Sequence, residues 1–415
     1  MSSTKSPPSL DSRARGGPAS GHTVEVARTE EEVEAWRPWW ESMPVTDVDA
    51  NIDYFLTVVR TDPTVVRPHV MRVDVPGEAP VLVVARLVKQ RFRVKLSGAR
   101  LGSVGAPALV VAFEGVIGAT SETQRAAVSS AIHEALAARE ADVAVFQKTN
   151  RASTWFAHLT GRGPAMLRLV RPPESSWTSE LPDSWEQLLA ARTSKSRRQI
   201  RFDDNKLRRV YGDRLELRRL DRPEYAEIML PHVRTVASAS YQRGLGVSML
   251  DGDVQGALID LAREKGWLRV WMLYIDGEPV AFWWGITYAG VLAIGSPGYL
   301  PSYSKDRVGY FTLRRMLEDA ADDPDTRRID YGTRDADYKE RFGDLRSEVS
   351  DVLVFAKRPR GLAVHAFLRS QERAVAIGRA AVTRAGRADD IRKWWRDRNL
   401  PGRSSATADA TPTDG

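Results

Sequence analysis

One order of elements is written into this chain twice. Residues 23–170 read as a strand (TVEVART) and two helical stretches (EEEVEAWRPWWESM and ANIDYFLTVVRT), then a meander of apolar strands (HVMRVDV, VLVVARLVKQ, ALVVAFEGVIG). An Ala-rich helix with a Ser/Thr start follows, then the strand DVAVFQK, a helix around TWFAHL and the strand MLRLV. Beyond a basic helix over 192–210, the second half gives the strand LELRRL, the helices PEYAEIMLPHVRTVASASYQ and DVQGALIDLAREKG, and the strands LRVWMLYI, PVAFWWGITY and VLAIGSPGY. It closes with the helix VGYFTLRRMLEDAA, the strand RRIDYG, a short helical YKERF and the strand EVSDVLVFAK. The halves share little sequence identity, so the repeat lies in the order. Asp276 and Gly277 separate two alternating apolar runs and tolerate the positive φ of a tight hairpin. The expected fold is α/β: tandem units, each a mixed, largely antiparallel sheet flanked by helices.

Length agrees with this doubling, because 415 residues make two or three domains at about 100–200 residues each. The organisation expected is a disordered tail over 1–21, a first domain over 22–171, a Pro- and Ser-rich linker over 172–191, a second domain over 192–358, a basic helical appendage over 359–400 and a disordered tail over 401–415. There are 61 Lys and Arg against 54 Asp and Glu, a net charge of +7, which is too modest for a histone-like chain. The absence of cysteine removes disulfides, thiolate metal sites and cysteine nucleophiles. The six histidines, His22, His69, His133, His158, His232 and His365, are scattered with no i, i+4 pair, so no metal site is expected, and His158 and His232 read as structural residues. No stretch reaches the roughly 18 apolar residues of a membrane span, which makes a cytoplasmic location the expectation.

Three stretches of the second half resemble a known family: WMLYIDGEPVAFWWG (271–285), IGSPGYLPSYSKDRVGYFTLRRML (294–317) and RIDYGTRDADYKERFG (328–343). They are similar to the acetyltransferase-like domain of proteins named for cellulose biosynthesis, a branch of the GCN5-related N-acyltransferase (GNAT) superfamily. The last stretch is the most specific, an Asp-aromatic-Gly strand end followed by Tyr-Lys-x-x-Phe-Gly. Tyr338, Lys339, Phe342 and Gly343 fit Fem-type peptidyltransferases equally well, and those enzymes also pair two such domains. One departure stands out: where family members commonly open the cofactor helix with Ser-Pro-Gly, this chain reads Arg307, Val308, Gly309, keeping the glycine alone.

The resemblance implies acetyl-CoA or another acyl-CoA as co-substrate, with no metal. It places the acyl group along 291–297, near Ile294, Gly295 and Ser296, and the pyrophosphate at the helix start beside Lys305, Arg307, Gly309 and Tyr310. Without the resemblance the same helix start is an ordinary one with basic flanks. Acyl transfer from a thioester needs mainly positioning, because the thiolate leaves without strong acid help, but the attacking amine must lose a proton. Asp330 is the first candidate base, with Asp335 and Asp337 behind it; its alternative role is to cap the turn beyond its strand. Lys339 either neutralises developing charge or pairs with a neighbouring aspartate, and Tyr338 either donates to the leaving group or packs the sheet. Trp36, Trp39 and Trp40 read as core packing or as a groove lining, and Trp283 and Trp284 point to opposite faces of their strand.

The expected function is acyl transfer from acyl-CoA to an amine, a small-molecule or lipid-linked acceptor such as an amino sugar in surface polysaccharide assembly. The first domain, lacking the Asp-aromatic-Gly and Tyr-Lys-x-x-Phe-Gly pair, is expected to shape the acceptor site and not to catalyse. Charge opens two alternatives. The run Lys195, Arg197, Arg198, Arg201, Lys206, Arg208 and Arg209 would grip an aminoacyl-tRNA donor. The basic, apolar-studded stretch 360–400, with Ile391, Trp394 and Trp395, would lie on the inner face of a membrane, either as a peripheral contact of the enzyme or as the dock of a non-catalytic adaptor; the bland reading is a packed helical appendage.

Overall fold

Backbone N–H and C=O groups need partners, and here a single sheet provides them for both halves. The computed structural model describes residues 21–96, 99–161, 167–182, 184–239 and 252–384; both expected tails, except Gly21, lie outside these. The first half runs β1 (Thr23–Ala27), α1 (Glu30–Ala35), α2 (Arg37–Glu41), α3 (Ile52–Thr61), β2 (Val65–Pro68), β3 (Val70–Asp74), β4 (Val81–Leu96), β5 (Ala99–Ile117), α4 (Glu122–Ala137), β6 (Val143–Asn150), α5 (Thr154–Gly161) and β7 (Arg168–Val170). Next come β8 (Glu174–Glu180) and α6 (Trp185–Ala190). The second half has α7 (Ser194–Tyr211), β9 (Leu215–Arg219), α8 (Ala226–Ala239), α9 (Asp253–Glu264), β10 (Leu268–Ile275), β11 (Glu278–Tyr288), β12 (Val291–Ile294), β13 (Gly298–Tyr299), α10 (Val308–Ala321), β14 (Arg328–Thr333), α11 (Asp337–Phe342) and β15 (Leu345–Phe355), with α12 (Pro359–Arg384) at its end.

The main path of the sheet is β1-β3-β4-β5-β6-β15-β8-β14-β12-β11-β10-β9. From either end an antiparallel run leads inward to one parallel pair: β5 with β6, from Ala108↔Val143 to Val111↔Phe146, and β12 with β14, from Val291↔Arg328 to Ala293↔Asp330. The expected doubled α/β fold is therefore present. The halves also exchange strands at the centre. β8 comes after the first half yet pairs with β14 of the second, while β15 closes the second half and pairs with β6 of the first.

This exchange changes the reading of 172–191, which holds a central strand and a helix where its Pro and Ser content suggested a linker. Pro172 and Pro173 precede ESSWTSE and Pro182 follows it, so the strand itself is free of proline, and it turns Ser175 and Ser179 inward. Ser179 is fully buried; its hydroxyl donates to the Phe342 carbonyl (2.7 Å) and accepts from the Asp344 amide (3.2 Å). Two further differences are local. The stretch 30–43, expected to be one helix, breaks at Trp36 because Pro38 has no N–H to give. The pairing of β4 with β5 extends through 91–96 and 99–107, which carried no expected element. Trp40 is core, its indole donating to the Ala50 carbonyl (3.0 Å), with Trp36 and Trp39 packed against the same cluster.

The second half's sheet is covered differently on its two faces. On one, α6, α7 and α10 cover Trp283, Leu292, Ile329 and Tyr331. On the other, α8 and α9 cover Phe282, Trp284 and Ile286, and Val48 and Tyr54 of the first half join that cluster. Asn51 donates to the Tyr288 hydroxyl (3.3 Å) and Asp53 pairs with Lys265 (2.6 Å), clamping the start of α3 over this second face. The appendage is helical to Arg384 and packs Val364 and Leu368 against the cluster holding Phe92; Ile391, Trp394 and Trp395 lie outside the described residues.

Because the sheet runs unbroken through the exchange, the halves are expected to unfold together. Ser179→Ala removes a buried donor and should cost about 0.5–1.5 kcal/mol. The check is a lower urea midpoint, with circular dichroism and tryptophan fluorescence transitions still coincident.

Candidate active site

Parallel strands share hydrogen bonds only while they run side by side, and β12 and β14 part after Ala293↔Asp330. β12 is drawn toward β11: the Gly295 amide donates to the Trp284 carbonyl (2.9 Å), and the Trp284 indole donates to the Ser296 carbonyl (3.1 Å). That indole is so close that a Cβ on residue 295 would sit 2.1 Å from its ring, so glycine is required there. β14 is drawn the other way onto β8, with a register shift between Asp330 and Gly332, where Gly332 takes φ +73°. Amides alternate in direction along a strand. With the Gly295 N–H turned to β11, it is the Ile294 N–H that points into the gap.

A cavity of about 690 Å³ lies at this gap on the α10 face. Its walls are the end of β12 (Ile294, Gly295, Ser296), the start of α10 (Arg307 to Tyr310) and the segment from Tyr331 to Lys339; Trp283 lies between. The Trp283 indole donates to the Gly309 carbonyl (2.8 Å) and meets the Tyr338 ring edge-on at 5.2 Å, tying the start of α10 and the Tyr331–Lys339 segment to β11.

The start of α10 is open. Arg307 occupies the N-cap position in a left-handed conformation, no side chain caps the helix, and its first turn has no acidic residue. The orphan N–H groups and positive dipole end of a helix thus meet the cavity at Val308 and Gly309, a seat for an anion. Arg307 is held by Asp203 of α7 (3.1 Å). The counterpart in the first half is closed. Ser121 caps α4 at the Gln124 amide (3.0 Å), the Gln124 side chain accepts from the Thr120 and Ser121 amides, and Glu122 adds negative charge to the first turn.

Of the residues singled out in the sequence, Ile294, Gly295, Ser296, Arg307, Gly309, Tyr310, Asp337, Tyr338 and Lys339 line the cavity, so of the candidate bases it is the exposed Asp337 that meets it. Lys305 is exposed in the 3-10 turn Pro301–Asp306 just ahead of α10. Asp330 is not among the lining residues; its Oδ1 accepts from the Gly332 amide (2.7 Å), the turn-pinning alternative. Its neighbours Ile329 and Tyr331 belong to the α10-face cluster, so by strand alternation Asp330 looks out on the opposite face. Lys339 is buried and donates to the Thr333 carbonyl (2.7 Å). Burial pulls its pKa below the usual lysine value; Asp330 opposes this, and Lys148 and Arg334 add to it. Tyr338 packs between Trp283 and Tyr331, and Arg341 lies over the ring of Tyr310. Burial also raises the Tyr310 pKa. Tyr299, Tyr331 and Thr333, not picked out from the sequence, also line the cavity; of these Tyr331 had a signal, as the aromatic of Asp-aromatic-Gly. His158 contacts Ser129 (2.9 Å) and Glu122 (3.1 Å), and His232 contacts Tyr274 (2.7 Å), both tying elements together.

Residues 194–340 match the family described as Acetyltransferase (GNAT) domain. No curated protein matches the sequence. Among solved structures, FemX is similar with a TM-score of 0.53 at 11% identity, over 81% of this chain and 98% of that one. A conserved protein of unknown function from Bacteroides thetaiotaomicron VPI-5482 gives 0.47 at 13% identity, over 79% and 99% of the two chains. L-PGS from Bacillus licheniformis gives 0.44 at 13%, over 79% and 98%. At such identities the FemX likeness is one of fold. Residues 194–340 are similar to a GNAT domain, and every residue lining the cavity lies within them.

Gly295→Ala forces a methyl group into the Trp284 indole. The expected outcome is a loss of about 1–3 kcal/mol of stability, read by thermal unfolding, together with weaker donor binding as the end of β12 shifts.

Proposed function

We propose that the protein transfers an acyl group from acyl-CoA to an amine, an amino sugar or lipid-linked precursor of surface polysaccharide being the acceptor class. One observation carries this reading: the uncapped start of α10 and the outward Ile294 amide open into one cavity. The first suits the pyrophosphate of a CoA and the second suits a thioester carbonyl, so a donor laid between them has its charge neutralised at one end and its reacting carbon polarised at the other. Arg307 supplies charge at the helix start where the family's Ser-Pro is replaced. The closed helix start of the first half argues for one donor per chain. The polysaccharide context rests on the resemblance of 271–343 to the cellulose-biosynthesis branch.

Calorimetry tests the donor. Acetyl-CoA or a longer acyl-CoA is expected to bind, and Gly309→Trp, whose indole would fill the helix start beside Tyr299, is expected to abolish binding while the fold survives by circular dichroism. No binding of any CoA species to the unaltered protein rejects the reading.

A second reading has one observation in its favour. On α7 the side chains of Lys195, Arg198, Arg201, Lys206, Arg208 and Arg209 are exposed around Phe202, itself 61% exposed, a surface suited to the phosphates of an aminoacyl-tRNA donor. Arg197 is excluded from that surface, because it donates to the Ala190 and Arg192 carbonyls. If this reading holds, tRNA affinity falls steeply with salt and is lost on changing Arg198, Arg201 and Arg208 to Glu. Salt-insensitive or absent binding in a filter assay rejects it.

A further inference from the structure

The 18 residues of α7 make about five turns, and the two sides of this helix differ in what they meet. On the inner side Ile200 joins the cluster of Trp283 and Leu313, and Leu207 joins that of Leu273 and Phe311. Asp203 and Asp204 belong to the same side. Asp203 holds Arg307 (3.1 Å), and Asp204 holds Arg314 and Arg315 of α10 (2.9 Å to Arg315). These are the only acidic residues of α7, so all of its negative charge is turned inward and paired. The outer side is its complement. At 3.6 residues per turn Lys195, Arg198, Phe202, Lys206 and Arg209 share it within about 80° of arc, and all five are exposed. Arg201 and Arg208 flank this ridge on one edge, and Val210, also exposed, on the other. Phe202, 61% exposed, stands at its middle with two of the cations toward each end of the helix.

We infer that α7 docks the protein on a membrane surface rich in anionic lipid, with the Phe202 ring inserted and Lys195, Arg198, Lys206 and Arg209 on the headgroup phosphates. Charge complementarity and shape carry this together. A straight, convex ridge with an aromatic ring between cations matches a plane whose phosphates lie above an apolar interior, and long Lys and Arg stems reach back to the phosphates while the ring goes deeper. A polynucleotide asks for a different surface, a positively charged groove that tracks its backbone. None of the five ridge residues is a wall of the cavity that Arg307 borders, the recess beside α7.

The ion pairs on the inner side make the docking consequential. They fix α7 to α10 and to Arg307 at its start, so a bilayer held by the ridge stands at a set place relative to the open helix start and the cavity. This contact is distinct from the basic stretch 360–400, because α12 seats Val364 and Leu368 against Phe92 and Val143 of the first half. Docking by α7 does not depend on the donor. Its consequence for the acceptor, that the lipid-linked class is the one brought to the site, does rest on the acyl-transfer reading.

The test is sedimentation of the full chain with vesicles of phosphatidylcholine containing about 30% phosphatidylglycerol, at about 0.1 M salt. The chain is expected to bind these and not vesicles of phosphatidylcholine alone. Phe202→Ser should weaken binding about 10-fold, and Arg198→Gln with Arg209→Gln roughly 30-fold, with circular dichroism unchanged because all three side chains are exposed. The chain has no cysteine, so one introduced thiol carries an environment-sensitive label at a single place. Asn205→Cys keeps Phe202 and every cation, and its label is expected to shift to the blue with the anionic vesicles. The label of Glu264→Cys, exposed on α9 over the opposite face of the sheet, is expected not to shift. No binding to the anionic vesicles, equal binding to neutral ones, or equal shifts at 205 and 264 each overturns the proposal. So does vesicle binding that the α7 changes leave within about twofold, as when 360–400 carries it, and so does binding of tRNA with none of vesicles.

Discussion

A sheet edge that presents unpaired N–H and C=O groups must be covered, and the arrangement of this protein is set by how two such edges are covered. Cut apart, the first half would end its sheet at β6 and the second at β14. β15 and β8 fill the space between, each pairing across to the half it does not belong to by sequence. The halves are thereby fixed relative to each other by backbone hydrogen bonds and not by a hinge. That fixed placement holds Val48 and Tyr54 of the first half against the α8–α9 face of the second.

The two halves show how one topology can be open or shut at equivalent places. Both have a parallel pair and a helix that leads between its strands. In the second half the helix start has no side-chain cap and the strands separate around glycines that admit aromatic rings. In the first, Ser121 and Gln124 satisfy the amides and Glu122 repels an anion. The difference lies in a few polar side chains at one helix terminus, on the scale of about 1 kcal/mol each, and not in the fold.

Much of this is legible in the sequence. Periodicity marks the order of elements, and the run from Asp330 to Gly343 points to the right corner of the second half, because glycine and aromatic residues at close approaches leave a local mark. The strand β8 is not legible: ESSWTSE has the composition of a loop, and it becomes a strand because β14 and β15, from the far end of the chain, offer it hydrogen bonds on both sides. Asp330 stands out for its place at a strand end, but the face it points to depends on the register of β14 with β8.

The strand exchange also bears on how the chain is made. β6 is complete once Asn150 has been joined, but its partner β15 does not exist until synthesis passes Leu345. At about 5–20 residues per second that interval is on the order of 10–40 s. Throughout it the first half carries an uncovered strand edge on the ribosome, and β8 waits for β14. Folding of either half to completion is thus deferred until nearly the whole chain has emerged. The nascent protein is a natural client for chaperones, and crowding of ribosomes on its message would bring open edges of neighbouring chains together.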